Sequence, residues 1–263
     1  MLLSWLRSRR RRTIAERPFP SAWNDILRRG VRHAEWLDAA ARERLRGWVT
    51  VFLAEKRFEG CRGLVVTDEM RVTIAAQAGL VALGFAAEHF DRLRSVLVYP
   101  GDYLVPRSTP LDGGGELAWQ EARLGETWAG GSMVLAWPSV VAGGRLRDGP
   151  RNVVFHECAH LLDLGDGEID GVPPLSPATR AAWIDAFAGC RLRFEQLLDD
   201  GRSTAFDDYA AESAAEFFAV ASECFFQDPH RLRRHDGTLY ELLTTVWRQD
   251  PAHWMPPRAV RGR

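Results

Sequence analysis

Along most of the chain, apolar residues recur three and four positions apart, the spacing of one face of a helix. From Pro20 to about Phe58 this pattern places Trp23, Ile26 and Leu27 on one face and Leu45, Trp48, Val49 and Phe52 on another. Residues 68–90, DEMRVTIAAQAGLVALGFAAEHF, predict a long apolar helix broken near Gly79 or Gly84. The rhythm then changes. SVLVYP (95–100) and GSMVLAWPSVV (131–141) are short, rich in β-branched or aromatic residues and bounded by turn residues, so they predict strands. LDGGGELAWQ between them suits a hairpin or an exposed loop. Pro150 stands at a first-turn position for a helix carrying VVFHECAHLLD (153–163). A polar loop, GDGEIDGVPPLSP (165–177), leads to a helix near 178–198. DDYAAESAAEFFAVASECFF (207–226) predicts one more helix, with Asp207 or Asp208 as its cap. From Asp228 helix mixes with a Pro-rich, basic end.

No internal repeat or low-complexity linker divides the 263 residues. The expected organisation is a basic, disordered tail over 1–17, a single domain with an N-terminal helical part over 18–250, and a Pro/Arg-rich tail over 251–263. Charge adds little to this picture. With 34 basic against 35 acidic residues, nothing electrostatic calls for a nucleic-acid partner. Cys61, Cys158, Cys190 and Cys224 are widely spaced without a CxxC pair, which suits reduced, mostly buried thiols in the cytoplasm. The opening MLLSWLRSRRRR reverses the order of a secretory signal, whose charge precedes its apolar stretch. No run approaches the ~20 apolar residues of a spanning helix. Leu2, Leu3, Trp5 and Leu6 with the arginines behind them form at most a shallow lipid anchor. A solvated tail without stable membrane association is the preferred reading.

The chemistry concentrates in VVFHECAHLLD. Two histidines and a glutamate interrupt an apolar run, and unpaired polar groups in a core are costly. His156 and His160 are four apart, so on a helix they project from one face, one turn apart, where a single cation can take both imidazoles. Glu157 lies beside the first of them, within reach of a water at the same ion. This HExxH arrangement points to zinc peptidase chemistry. A catalytic zinc needs a third protein ligand, and HLLDLGDGEID offers no third histidine nearby. The 207–226 helix is the better source, through Glu212, Glu216 or Glu223, which the pattern places on one side of it, opposite Phe217, Val220 and Cys224. Spacing alone does not choose among them. Cys158 falls about 200° around the helix from His156 and faces the core. Asp163, three after His160, is a candidate to accept a ligand histidine's other N–H, and Asn152, four before His156, is a second.

HECAHLLD followed by YAAESAAEFF resembles the Mlc titration factor A family of bacterial zinc peptidases. FLAEKRF, TDEMRVTIAAQAGL and VLVYPGDYLV extend the likeness over roughly residues 18–250. That family's catalytic core is in turn similar to anthrax lethal factor. The resemblance implies an α+β fold: a mostly helical zincin-type, gluzincin-like core with a small β-sheet and an N-terminal helical region. It implies one Zn²⁺ per chain with Glu216 as the third ligand, leaving Glu212 and Glu223 without a ligand role. It also implies a tyrosine on the same helix as that ligand, matched by Tyr209. Seven residues at about 100° each bring Tyr209 back to within about 20° of Glu216, which agrees.

The implied activity is aminopeptidase-like hydrolysis of peptides, with Glu157 as the proton-transferring base and Tyr209 as oxyanion donor. The implied partner is a transcriptional repressor of the Mlc type, through which such a protein regulates sugar-uptake genes. The alternative is a regulatory, repressor-titrating module whose peptidase activity is weak or incidental.

Overall fold

The computed structural model describes residues 2–85, 90–101, 103–110, 116–123, 125–128, 131–147 and 149–258. The fold is α+β and mostly helical. Helices α1 (Leu2–Ala15), α2 (Ser21–Gly30) and α3 (Ala39–Glu55) precede strand β1 (Arg57–Gly60), and α4 (Asp68–Ala82) follows it. Strands β2 (Ser95–Tyr99), β3 (Tyr103–Pro110), β4 (Glu116–Arg123), β5 (Gly125–Trp128) and β6 (Ser132–Ala136) form the middle of the chain. Helices α5 (Trp137–Gly144), α6 (Val153–Asp163), α7 (Pro177–Asp199) and α8 (Ala214–Gln227) come next, then α9 (Pro229–His235), α10 (Gly237–Trp247) and α11 (Pro251–Trp254).

A four-stranded sheet runs in the order β1-β2-β6-β5. β1, β2 and β6 are parallel, in the registers Phe58↔Val96 and Val96↔Met133, and β5 pairs antiparallel to β6. The parallel pairs need crossovers, which α4 provides between β1 and β2. β3 and β4 form a separate antiparallel hairpin, one of the two conformations expected for LDGGGELAWQ, whose residues 111–115 lie outside the described residues.

Helix starts follow the short polar residues. Asp38, Thr67, Ser176, Ser213, Asp228 and Asp236 each accept a backbone N–H of the first turn that follows. α4 is buried on every side from Val72 to Ala82, including Thr73 and Gln77. It ends at Ala82, and a Cβ on Gly84 would lie 2.1 Å from the Trp247 carbonyl oxygen, so close chain approach requires glycine there. The expected continuation to residue 90 crosses residues 86–89, outside the described residues.

α6 packs against α8, α4, α5, β5 and β6 and is the centre of the fold. Phe155 meets Phe226 of α8, with ring centroids 5.5 Å apart, and His33 on its other side, at 5.3 Å. Gln227 fastens the pieces together. Its Nε2 donates to Gly143 O (2.9 Å) and Arg151 O (3.0 Å), while its Oε1 lies 3.1 Å from His33 Nε2. Burial pushes the His33 imidazolium pKa down to about 4, against the partial support of Gln227.

Two expectations change here. GSMVLAWPSVV is not strand throughout: β6 ends at Ala136, and Pro138 sits in the first turn of α5, where its missing N–H costs nothing. The stretch read as a disordered tail is largely helix α1, whose Arg11 bonds Glu55 Oε2 at 2.7 Å and also pairs with Asp91. Ion pairing supplies the order that composition alone does not predict.

Candidate metal centre

Asn152 starts α6: its Oδ1 accepts from Val154 N (3.0 Å) and Phe155 N (3.1 Å). The helix then carries His156 and His160 towards Glu216 of α8, with Glu157 next to the first of them on α6. α8 starts at Ser213, whose Oγ accepts from Glu216 N at 3.1 Å. This puts the Glu216 carboxylate in the first turn, where the helix dipole favours an anion. Its Oε2 lies 3.2 Å from His156 Nε2, and its Oε1 lies 3.6 Å from His160 Nε2. The two Nε2 atoms are 3.1 Å from each other.

Among the described residues these three form the group of donors placed to hold one metal ion. Two ligand atoms each about 2.0–2.1 Å from a tetrahedral ion stand about 3.3 Å apart. The 3.1, 3.2 and 3.6 Å separations match that requirement. Two imidazole nitrogens and one carboxylate are also a donor set suited to zinc, with a fourth position left for substrate or water. The residues present therefore fit such an ion.

The other ring nitrogen of His156 is held from behind. Nδ1 lies 2.8 Å from Glu223 Oε1, and the other oxygen of Glu223 accepts the backbone N–H of Asn152. Glu223 is buried, 7% exposed. Burial works against a charged His156, but the hydrogen bonds it donates to Glu216 and Glu223 outweigh this and hold its pKa well above the ordinary value. Burial likewise opposes the Glu216 charge, and the two histidines overcome it, placing this carboxyl well below the usual range. His160 is shifted down, by burial first and by the neighbouring His156 charge.

The remaining site candidates fall as follows. Glu157 is buried, at 1% exposure, beside His156 on α6. Cys158 is fully buried with its thiol pKa pushed up by burial, on the core side of α6 as expected. Asn152 does not accept from a ligand histidine, because its Oδ1 is occupied as the helix cap. Asp163 holds the following loop: its Oδ2 accepts Gly171 N at 2.8 Å, and burial lifts its carboxyl pKa to about 7. For His156, the pairing expected of Asn152 or Asp163 is made instead by Glu223.

Tyr209 is not on the helix of Glu216. The predicted 207–226 helix is two elements, a 3₁₀ turn over Asp208–Ala211 and then α8, separated where Ser213 is extended. Asp207 precedes the turn without capping it and pairs with Arg151 at 2.7 Å. That pair ties the turn to the start of α6. The Tyr209 ring is 38% exposed, its centroid 6.3 Å from that of His156. The Tyr209 ring thus lies partly exposed beside His156. Glu212 follows the turn and is exposed.

Two histidines and a glutamate converging in this way are a donor set of the kind metallopeptidases use. A family profile described as glucose-regulated metallo-peptidase M90 matches residues 5–248, and the chain belongs to that family. An uncharacterised protein of Synechocystis sp. is 36% identical over 245 residues, covering 92% of this chain and 89% of its own. The Mlc titration factor A proteins of Yersinia pestis and Yersinia pseudotuberculosis are 31% identical over 220 residues, 82% of this chain and 80% of theirs.

Proposed function

We propose that this protein is a zinc-dependent, aminopeptidase-like peptidase built on a zincin-type, gluzincin-like core. The convergence of His156 Nε2, His160 Nε2 and the Glu216 carboxylate on one point, with Glu157 beside it, carries this reading. Zinc bound there would make water acidic enough to attack at neutral pH and would polarise the substrate carbonyl. Glu157 then takes the proton of the attacking water and passes it to the leaving amine. Tyr209, beside His156, donates a hydrogen bond to the oxygen on which charge develops. Glu223 keeps the His156 ring oriented by accepting from Nδ1, and the buried α6–α8 contact holds both helices in register. The purified chain should hold about one zinc and hydrolyse a chromogenic amino-acid anilide. A metal-loaded chain inert towards anilides and short peptides contradicts the reading.

A second role rests on the relatives called Mlc titration factor A. By that likeness the chain binds a transcriptional repressor of the Mlc type and acts on sugar-uptake genes in the cytoplasm. Co-purification with such a repressor tests it. Among the described residues no helix is long and apolar enough to cross a membrane.

A further inference from the structure

α1 sorts its arginines into two sets. Arg7 pairs with Asp91, Arg11 pairs with Asp91 and Glu55, and Ile14 is buried, so these positions define the inner face. Arg9, Arg10 and Arg12 are exposed, and among the described residues none of them forms an ion pair. At about 100° per residue, these three together with Trp5 and Leu6 occupy about 160° of the opposite side. Trp5 is 53% and Leu6 47% exposed, and the Arg9 guanidinium lies 5.6 Å from the Trp5 ring. Beside them is a hollow of about 500 Å³ that joins apolar Leu6, Ile14 and Ala54 to Arg9, Arg10 and Arg17.

We propose that the outer face of α1 is a reversible docking surface for an anionic phospholipid membrane. Two features select this partner. The exposed charges on α1 itself are all positive, on a chain whose net charge is −1, so the attraction is local to this face. Exposed Trp and Leu sit one turn ahead of the arginines, which suits shallow burial at the acyl boundary with guanidinium groups at the phosphates. A nucleic acid would use the arginines but leave the Trp5–Leu6 end unexplained. The expectation of a solvated tail without stable membrane association assumed no fixed face. The helix, held by the inner arginines, provides one. Three charges and two apolar side chains give weak, salt-sensitive binding rather than a permanent anchor.

The test is co-sedimentation of the full chain with vesicles of phosphatidylcholine alone and of phosphatidylcholine mixed with phosphatidylglycerol. Binding is expected only to the mixed vesicles, with release by added salt. One arginine at a charged surface contributes about fivefold in affinity, so Arg9→Glu with Arg10→Glu should weaken binding at least ~25-fold. Trp5→Ala with Leu6→Ala should weaken it at fixed salt, whereas Arg44→Glu on α3 should not. All these positions are exposed, so an unchanged melting curve shows that the fold is intact. Equal binding to both vesicles overturns the proposal, as does binding indifferent to the Arg9/Arg10 reversal. Duplex DNA binding, or self-association, that is lost on that reversal while vesicles go unbound also overturns it and assigns the face to that partner.

Discussion

Glu223 and His156 face each other at 2.8 Å across the side of the imidazole that points away from Glu216. The same carboxylate takes the N–H of Asn152, so one buried group fixes both a ligand ring and the start of the helix that carries it. With Nδ1 donating to Glu223, the Nε2 lone pair is directed at the donor group. Glu223→Gln should therefore lower zinc affinity by about 10- to 100-fold while the fold survives. A competition titration against a chromophoric chelator measures it. Unchanged affinity would reduce Glu223 to a packing residue.

The ligand assignment separates two acids four residues apart. Glu216→Ala or His160→Ala should remove the bound zinc, and Glu212→Ala should leave about one zinc per chain. Elemental analysis after dialysis reads this directly. Loss of metal from the Glu212 variant with retention in the Glu216 variant would reverse the assignment.

Tyr209→Phe keeps the ring beside His156 and removes the hydroxyl. If the phenol donates to the oxyanion, kcat should fall by ~10²-fold with zinc content and melting temperature unchanged. Wild-type turnover would show that Tyr209 only packs beside His156.

Away from the metal, His33 predicts a pH dependence of stability. Its pKa is about 4 in the fold, against 6.5 for the free side chain. Below pH 6.5 the unfolded chain therefore binds a proton that the folded chain refuses. The stabilisation is fully present above that value and is lost as pH falls towards 4, amounting to about 3 kcal/mol. His33→Gln keeps a donor for Gln227 and removes the titration. The difference between wild-type and variant denaturation curves over this range should show the slope, and a flat difference would contradict it.

How legible the molecule was in its sequence depends on the physics at each position. The α6 motif was plain because both histidines lie within one helix and local spacing fixes their direction. The Glu223 role needed the packing of α8 on α6, although a signal existed. Seven residues return Glu223 to within about 20° of Glu216, the same arithmetic applied to Tyr209. For Tyr209 that arithmetic was misplaced, since Ser213 followed by Glu216 is a helix-start signature and splits the predicted helix there. The order of α1 was hidden because its inner arginines depend on Asp91 and Glu55, far along the chain. In the sheet, GSMVLAWPSVV reads as one apolar run, and only the position of Pro138 marks the change to helix.

Glu157→Gln tests the central claim most directly. It leaves the three donor residues in place and removes the one group assigned to proton transfer. The variant should retain about one zinc and the wild-type fold, and kcat/KM for anilide or peptide hydrolysis should fall by about three orders of magnitude or more. Hydrolysis at the wild-type rate by the zinc-loaded Glu157→Gln protein would contradict the account.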